Sequence, residues 1–175
     1  MKNEEILDSI KNGLLKVFAG STCSVSTESL PIPRMAYNAS RRQYLSTIFL
    51  QNIKEYAARN RNKRTFNRIL GVTDVDLYVP GLNFIFGEAQ LLGEAAIISL
   101  YRLRPEFYGE TPNWNLFAER AVKEAVHEIG HTLGLRHCPN PTCVMHFSLH
   151  IGMTDRKQKE FCRICRLKVE SAQVS

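Results

Sequence analysis

The string His127-Glu128-Ile129-Gly130-His131 sets two imidazoles four positions apart with a carboxylate beside the first. On a helix, four residues turn the chain by about 400° and advance it by about 6 Å, so the two rings share a face. Both can then reach one tetrahedral Zn²⁺ at about 2.0–2.1 Å. Glu128, next to a ligand, is directed near the metal's open position, where it can take a proton from zinc-bound water. His137 follows six residues after His131. On a continuing helix it would lie about 9 Å further on and about 240° around the axis, too far to share the ion. The chain must therefore fold back, and Gly134 is where it can, because glycine adopts positive φ at little cost. Two other readings compete: a helix whose histidines only pack or face solvent, and a metal site without turnover.

Four of the five cysteines form a second set: Cys138, Cys143, Cys162 and Cys165. Pro139 and Pro141 stiffen the loop between the first two, and the second pair is spaced i, i+3 on an expected helix capped by Thr154. Two plus two is the arithmetic of a structural Cys₄ zinc, closed to water and contributing folding energy. Two disulfides are the alternative. A c-type haem is excluded, because Arg166 and not histidine follows Cys165. Cys23 has no partner nearby and reads as a small buried residue. Arg156, Lys157, Lys159, Arg163, Arg166 and Lys168 surround the second pair, partly as compensation for the −2 charge of a Cys₄ zinc. Arg59, Arg61, Lys63, Arg64 and Arg68 read as a solvated helix end, with an anionic partner or an acid-preferring peptide as the sharper alternative.

The combined string HEIGHTLGLRH resembles that of the metzincin clan of zinc peptidases. The residues after it, His137-Cys138, Cys143-Val144-Met145 and Cys162-Arg-Ile-Cys165, are similar to the archaemetzincin branch of that clan. The specific motifs cover about 127–165. Upstream the likeness is softer, in LPIPRMAYNASRRQY, FIFGEAQ and GEAAIISL. The resemblance implies a zincin-like fold and peptide-bond hydrolysis. It also implies a catalytic zinc on His127, His131 and His137, Glu128 as general base, Gly134 at the turn, and Met145 in a tight turn beneath the metal. The stretch between Met145 and Cys162 is one residue shorter than the family pattern. Some metzincins place a tyrosine ligand two residues after the methionine; here Phe147 stands there, so Glu128 must serve as both base and acid. His146 and His150 match no ligand position and read as packing or exposed histidines. The resemblance also places an antiparallel edge strand, here about 83–91, along the cleft to bind extended substrate.

These residues need elements to hold them. Trp114, Phe117, Ala121, Val122, Ala125, Val126, Ile129 and Leu133 step by three and four, which predicts a helix over about 114–133 ending at Gly134. Leu14–Ala19 reads as a short buried strand, and Pro31 and Pro33 exclude helix there. With Ser40 as N-cap, apolar spacing predicts a helix over about 41–60. Val75, Leu77 and Val79, then 84–86, then 95–101 read as strands. The expected fold is α/β and zincin-like: a twisted, largely parallel mixed sheet packed by helices. One domain is expected over 1–175, its sheet and helices in about 1–134 and its zinc-stapled part in about 135–175.

Composition agrees with such a domain. The chain has 175 residues, 44% hydrophobic and 23% charged, which supports a core and excludes a disordered or fibrous chain. No stretch reaches the about 20 apolar residues of a membrane span. The start, MKNEEILDSIKNG, lacks an apolar h-region, so the expected compartment is cytoplasmic, where cysteines bind metal in preference to pairing. The net charge of +6 permits a polyanion, but no aromatic–basic interleaving points to nucleic acid. The expected function is zinc-dependent hydrolysis of a peptide or protein substrate with two zinc ions per chain. The alternative is an inactive zinc- or peptide-binding module on the same scaffold. No feature of the sequence fixes an oligomeric state.

Overall fold

The computed structural model describes residues 2–60 and 66–173. Helix α1 (Lys2–Val17) opens the chain. The strand expected at Leu14–Ala19 is therefore its last turn, followed by a turn at Gly20. Ile6, Ile10, Leu14 and Val17 are all buried and recur at helical spacing, while Glu4, Glu5 and Lys16 sit at the dipole ends that suit them. The apolar run LLKVFA is the buried stripe of this helix plus its exit.

The segment through Pro31 and Pro33 carries no helix or strand. Strands β1 (Tyr37–Asn38) and β2 (Gln43–Leu45) pair antiparallel, and β2 runs directly into α2 (Ser46–Arg59). The helix thus starts later than Ser40 implied. Residues 43–45 have the same apolar spacing, but their backbone is claimed by the sheet: Tyr44 N–H donates to Asp76 O at 2.8 Å, and β2 pairs parallel with β4 (Leu77–Tyr78). The expected strand at 75–79 shrinks to those two residues. Of the basic run, Arg59 ends α2 and Arg68 is exposed; Arg61, Lys63 and Arg64 lie outside the described residues.

The sheet that matters for the site is β3 (Ile69–Thr73), β6 (Ala95–Ser99) and β5 (Gly87–Ala89), in the order β3-β6-β5. β3 was not foreseen and pairs parallel with β6; β5 pairs antiparallel with β6 and forms an edge inside the expected span 83–91. Of the strand expected at 84–86, only Ile85 pairs, bridging to Leu77 between the two sheets. The pairings divide evenly between parallel and antiparallel, so the sheets are mixed but not largely parallel. All five residues of β6 are buried, because helices cover both faces. Ala95 and Ile97 face the α2 residues Phe49, Leu50 and Ile53, whereas Ile98 joins the core below.

That lower core is built on α3 (Trp114–Thr132), whose N-cap Asn113 accepts a hydrogen bond from Leu116 N–H at 3.1 Å. Ala121, Ala125 and Val126 are completely buried between α1, the sheet and the C-terminal segment. The chain closes with α4 (Ile151–Arg156) and α5 (Arg163–Gln173). Phe161 packs edge-on against Phe18, and Arg166 donates to Val17 O at 2.7 Å, tying the tail to α1. No helix of the described residues is long and apolar enough to cross a membrane.

Candidate metal centre and active-site cleft

α3 carries His127, Glu128 and His131 into a cleft of about 880 Å³ beneath β5. The helix stops at Leu133, and Gly134 takes φ +91°, with its N–H bonded to His131 O at 2.9 Å. This left-handed step swings the chain back and returns Leu135 O to His131 Nδ1 at 2.7 Å. His137 then lies over the other two rings, its centroid 5.4 Å from His127 and 4.9 Å from His131. One nitrogen from each of the three histidines falls within 4.8 Å of the others.

The hydrogen bonds decide which nitrogens are free. His127 Nδ1 lies 2.8 Å from Val144 O, as His131 Nδ1 does from Leu135 O. A carbonyl can only accept, so both Nδ1 atoms carry the proton and both Nε2 atoms present lone pairs. Those Nε2 atoms stand 3.1 Å apart. Two lone pairs aimed at one point repel, unless a cation stands there. Zn–N bonds of about 2.05 Å at the tetrahedral angle separate two nitrogens by about 3.3 Å, so the donor set fits zinc. Burial keeps the rings neutral: it pushes His127 well below the usual imidazole range, helped by the nearby Lys157 charge, lowers His131, and brings His137 down to about 4.

Glu128 lies beside this set and is 4% exposed. Burial raises its carboxyl well above the ordinary range, and the neighbouring Glu124 and Glu88 carboxylates add to the effect against the pull of Lys157. Met145 is completely buried, with its sulfur against Gly130, where an added Cβ would come within 2.5 Å. The turn around it is pinned by Cys138 N–H to Met145 O at 2.9 Å and His146 N–H to Cys143 O at 2.9 Å. Phe147 packs on the His137 ring at 4.7 Å and offers no donor.

The four cysteines converge as a second set, also within 4.8 Å of one another. Cys138 Sγ and Cys162 Sγ are 3.8 Å apart, and Cys162 N–H donates to Cys143 Sγ at 3.3 Å. Zn–S bonds of about 2.3 Å in a tetrahedron give S···S of about 3.8 Å, so this set fits a Cys₄ zinc as well. A hydrogen bond from the Cys165 backbone brings the Cys162 thiol down to about 7, while burial raises Cys143 and Cys165. The second pair does not share a helix, since Cys162 stands just before α5 and only Cys165 lies on it, and Thr154 caps neither. It is a buried residue inside α4, and α5 begins at Arg163. Cys23 is half-buried and packs beside the core without belonging to either set. His146 Nδ1 bonds Cys138 O at 2.9 Å, and His150 is exposed before α4.

The sequence reading missed the support beneath this site. Lys157, read as one of the cations compensating the Cys₄ set, is fully buried and pairs with Glu124 Oε1 at 2.9 Å; the Thr154 hydroxyl donates to the same carboxylate at 3.0 Å. Arg120, 2% exposed, forks onto both oxygens of Asp155 at 2.7 Å. The available signal was Glu124, one helical turn before Glu128, which no apolar face would carry without a buried partner.

Comparison with known proteins settles the family. The model of Peptidase family M54 matches residues 3–171. The chain belongs to peptidase family M54. Its similarity to the archaemetzincin of Methanocaldococcus jannaschii is 45% identity over 168 residues, covering 96% of this chain and 87% of that protein. Among solved structures, archaemetzincin from Methanopyrus kandleri superposes with a TM-score of 0.85 at 36% identity, over 98% of this chain and 88% of that one. A zinc-dependent peptidase from Methanocorpusculum labreanum gives 0.86 at 30% identity, over 94% and 93%. Membership of M54 makes the chain a metallopeptidase of the archaemetzincin kind with a zincin-like fold.

Proposed function

We propose that this M54 peptidase hydrolyses peptide bonds with zinc held by His127, His131 and His137 and with Glu128 as general base. The observation that carries the reading is the convergence of two Nε2 lone pairs 3.1 Å apart, with Glu128 alongside, beneath an open sheet edge. Zinc, when bound there, supplies a Lewis acid that acidifies water and polarises a carbonyl. The protein supplies the rest. The edge of β5 aligns an extended peptide by strand addition. Glu128 takes the proton of the attacking water and, with Phe147 offering no hydroxyl, hands it to the leaving amine. Met145 and the turn at Gly134 fix the heights of the rings.

A second zinc belongs on Cys138, Cys143, Cys162 and Cys165 as a structural staple, giving two ions per chain. Residues 1–175 then act as one domain, with a peptide or protein as substrate in the cytoplasm and nucleic acid outside its partners. A zinc-binding module without turnover is the reading to be excluded. The test is Glu128→Ala. Wild type should bind two zinc ions and cleave members of a peptide library. The variant should keep both ions and lose turnover by at least the 10²–10⁴-fold typical of a general base. Near-normal cleavage by the variant would refute the mechanism; a wild type with full zinc and no cleavage would establish the binding module.

A further inference from the structure

Strand β5 holds a glycine where it passes over Glu128. A Cβ built on Gly87 would lie 2.6 Å from Glu128 Oε1, 2.7 Å from Glu128 Cγ and 2.7 Å from the main-chain oxygen of Ile97. Real Cβ atoms do not approach so closely. The Ile97 oxygen belongs to the central strand β6, so a methyl group would have to ease β5 off that oxygen and also displace the Glu128 side chain, whose Oε1 and Cγ both stand in its way. Glu128 is 4% exposed and lines the cleft.

The ladder gives this position a second property. Phe86 O accepts from Ser99 N–H at 2.8 Å, and Gln90 N–H donates to Ala95 O at 2.9 Å. Phe86 and Gln90 thus turn their main-chain groups toward β6, and by alternation Glu88 does too. Gly87 and Ala89 turn theirs to the unpaired side. The Ile85 N–H is already given to Leu77 O at 3.0 Å. The free edge beside the histidines therefore begins at Gly87. Side chains alternate in the opposite sense: Glu88 points to the other face, near the Thr47 hydroxyl at 3.4 Å, and the empty side of Gly87 faces Glu128.

We propose that Gly87 is a positioning residue for catalysis: its main chain docks the substrate strand, and its missing side chain lets the Glu128 carboxylate stand directly beneath that docking point. One residue thereby sets the register between the bound peptide and the base. The assignment rests on Glu128 being the base.

The experiment compares full-length, zinc-loaded wild type with Gly87→Ala, Glu128→Ala and the double variant. Its readouts are steady-state cleavage of a library-selected peptide, calorimetric binding of that peptide, zinc content and thermal melting. Gly87→Ala should keep its zinc and hold KM within about threefold. Its kcat should fall by about 10²-fold, the scale of a misplaced catalytic group. Alanine should also lower the melting temperature less when Glu128 is already alanine, because the displaced side chain is gone, and peptide Kd should be equal in Glu128→Ala and the double variant. Should Gly87→Ala fail to fold alone, recovery of a folded, zinc-loaded double variant supports the same coupling, and failure to recover overturns it. A Gly87→Ala kcat within threefold of wild type, or an equal melting loss in both backgrounds, overturns the proposal and leaves the general base standing. Wild-type turnover in Glu128→Ala removes the general base, and this assignment with it.

Discussion

Replacing Lys157 with methionine should destabilise the protein by about 3–5 kcal/mol, the cost of stripping one partner from a buried ion pair. Its side chain is fully buried and Glu124 is 3% exposed, so neither charge is compensated by water. Without the ammonium at 2.9 Å, the Glu124 carboxylate keeps, among the described residues, the Thr154 hydroxyl at 3.0 Å. Methionine fills nearly the volume of the lysine stem, which keeps a cavity term out of the comparison. For a chain of this length, each kcal/mol moves Tm by about 2–4 °C, so the variant should melt about 6–20 °C below wild type. The double variant Glu124→Leu/Lys157→Met removes both charges and should recover most of that loss, since apolar replacement of a whole buried pair is often neutral or stabilising. Calorimetric melting of the three proteins, each fully loaded with zinc, is the assay. A single variant within about 3 °C of wild type, or a double variant no better than the single, would show that the pair is not the buried, mutually dependent unit described.

Two further outcomes test the architecture of the site. His131→Ala should lose the histidine-site metal yet stay folded, whereas Cys162→Ser should loosen the tail, which has few large apolar side chains and relies on a staple worth on the order of 10 kcal/mol. Limited proteolysis should clip only the cysteine variant, near residue 138, and the reverse ranking would sink the division into catalytic and structural sites. Gly134→Ala forces a side chain into φ +91° with its Cβ 2.5 Å from Leu92 Cδ2. It should cost about 1–3 kcal/mol in urea unfolding and weaken zinc at the histidine site, and unchanged stability would contradict the turn.

The site was legible because its information is local and chemical. His127 to His137 and the two cysteine pairs fall within one short stretch, and helical geometry alone demanded the reversal at Gly134. The long helix read correctly because its apolar period persists over five turns. The first sixteen residues misled because LLKVFA, taken without Ile6 and Ile10, has no visible period. β2 was hidden because its spacing is compatible with both a strand and the first turn of a helix, and its pairing with Leu77 lies far along the chain. β3 went unseen because its partner is β6, with two strands between them along the chain. The burial of Lys157 was invisible for the same reason, since the carboxylate that neutralises it lies on α3.

The acceptor that orients His127 is the carbonyl of Val144, and the cation paired with Glu124 comes from residue 157. The last cysteine of the second set is residue 165, and the contact between the tail and α1 is made at Arg166, 149 positions after its partner Val17. During synthesis, therefore, α1, α2, both sheets and most of α3 emerge before any of these groups. When the ribosome has just added Glu128, the carbonyl that orients His127 and the ammonium that pairs with Glu124 have not yet been made. The order of translation thus keeps the histidine set without its orienting carbonyl until residue 144 has been added, and keeps the cysteine set incomplete until residue 165.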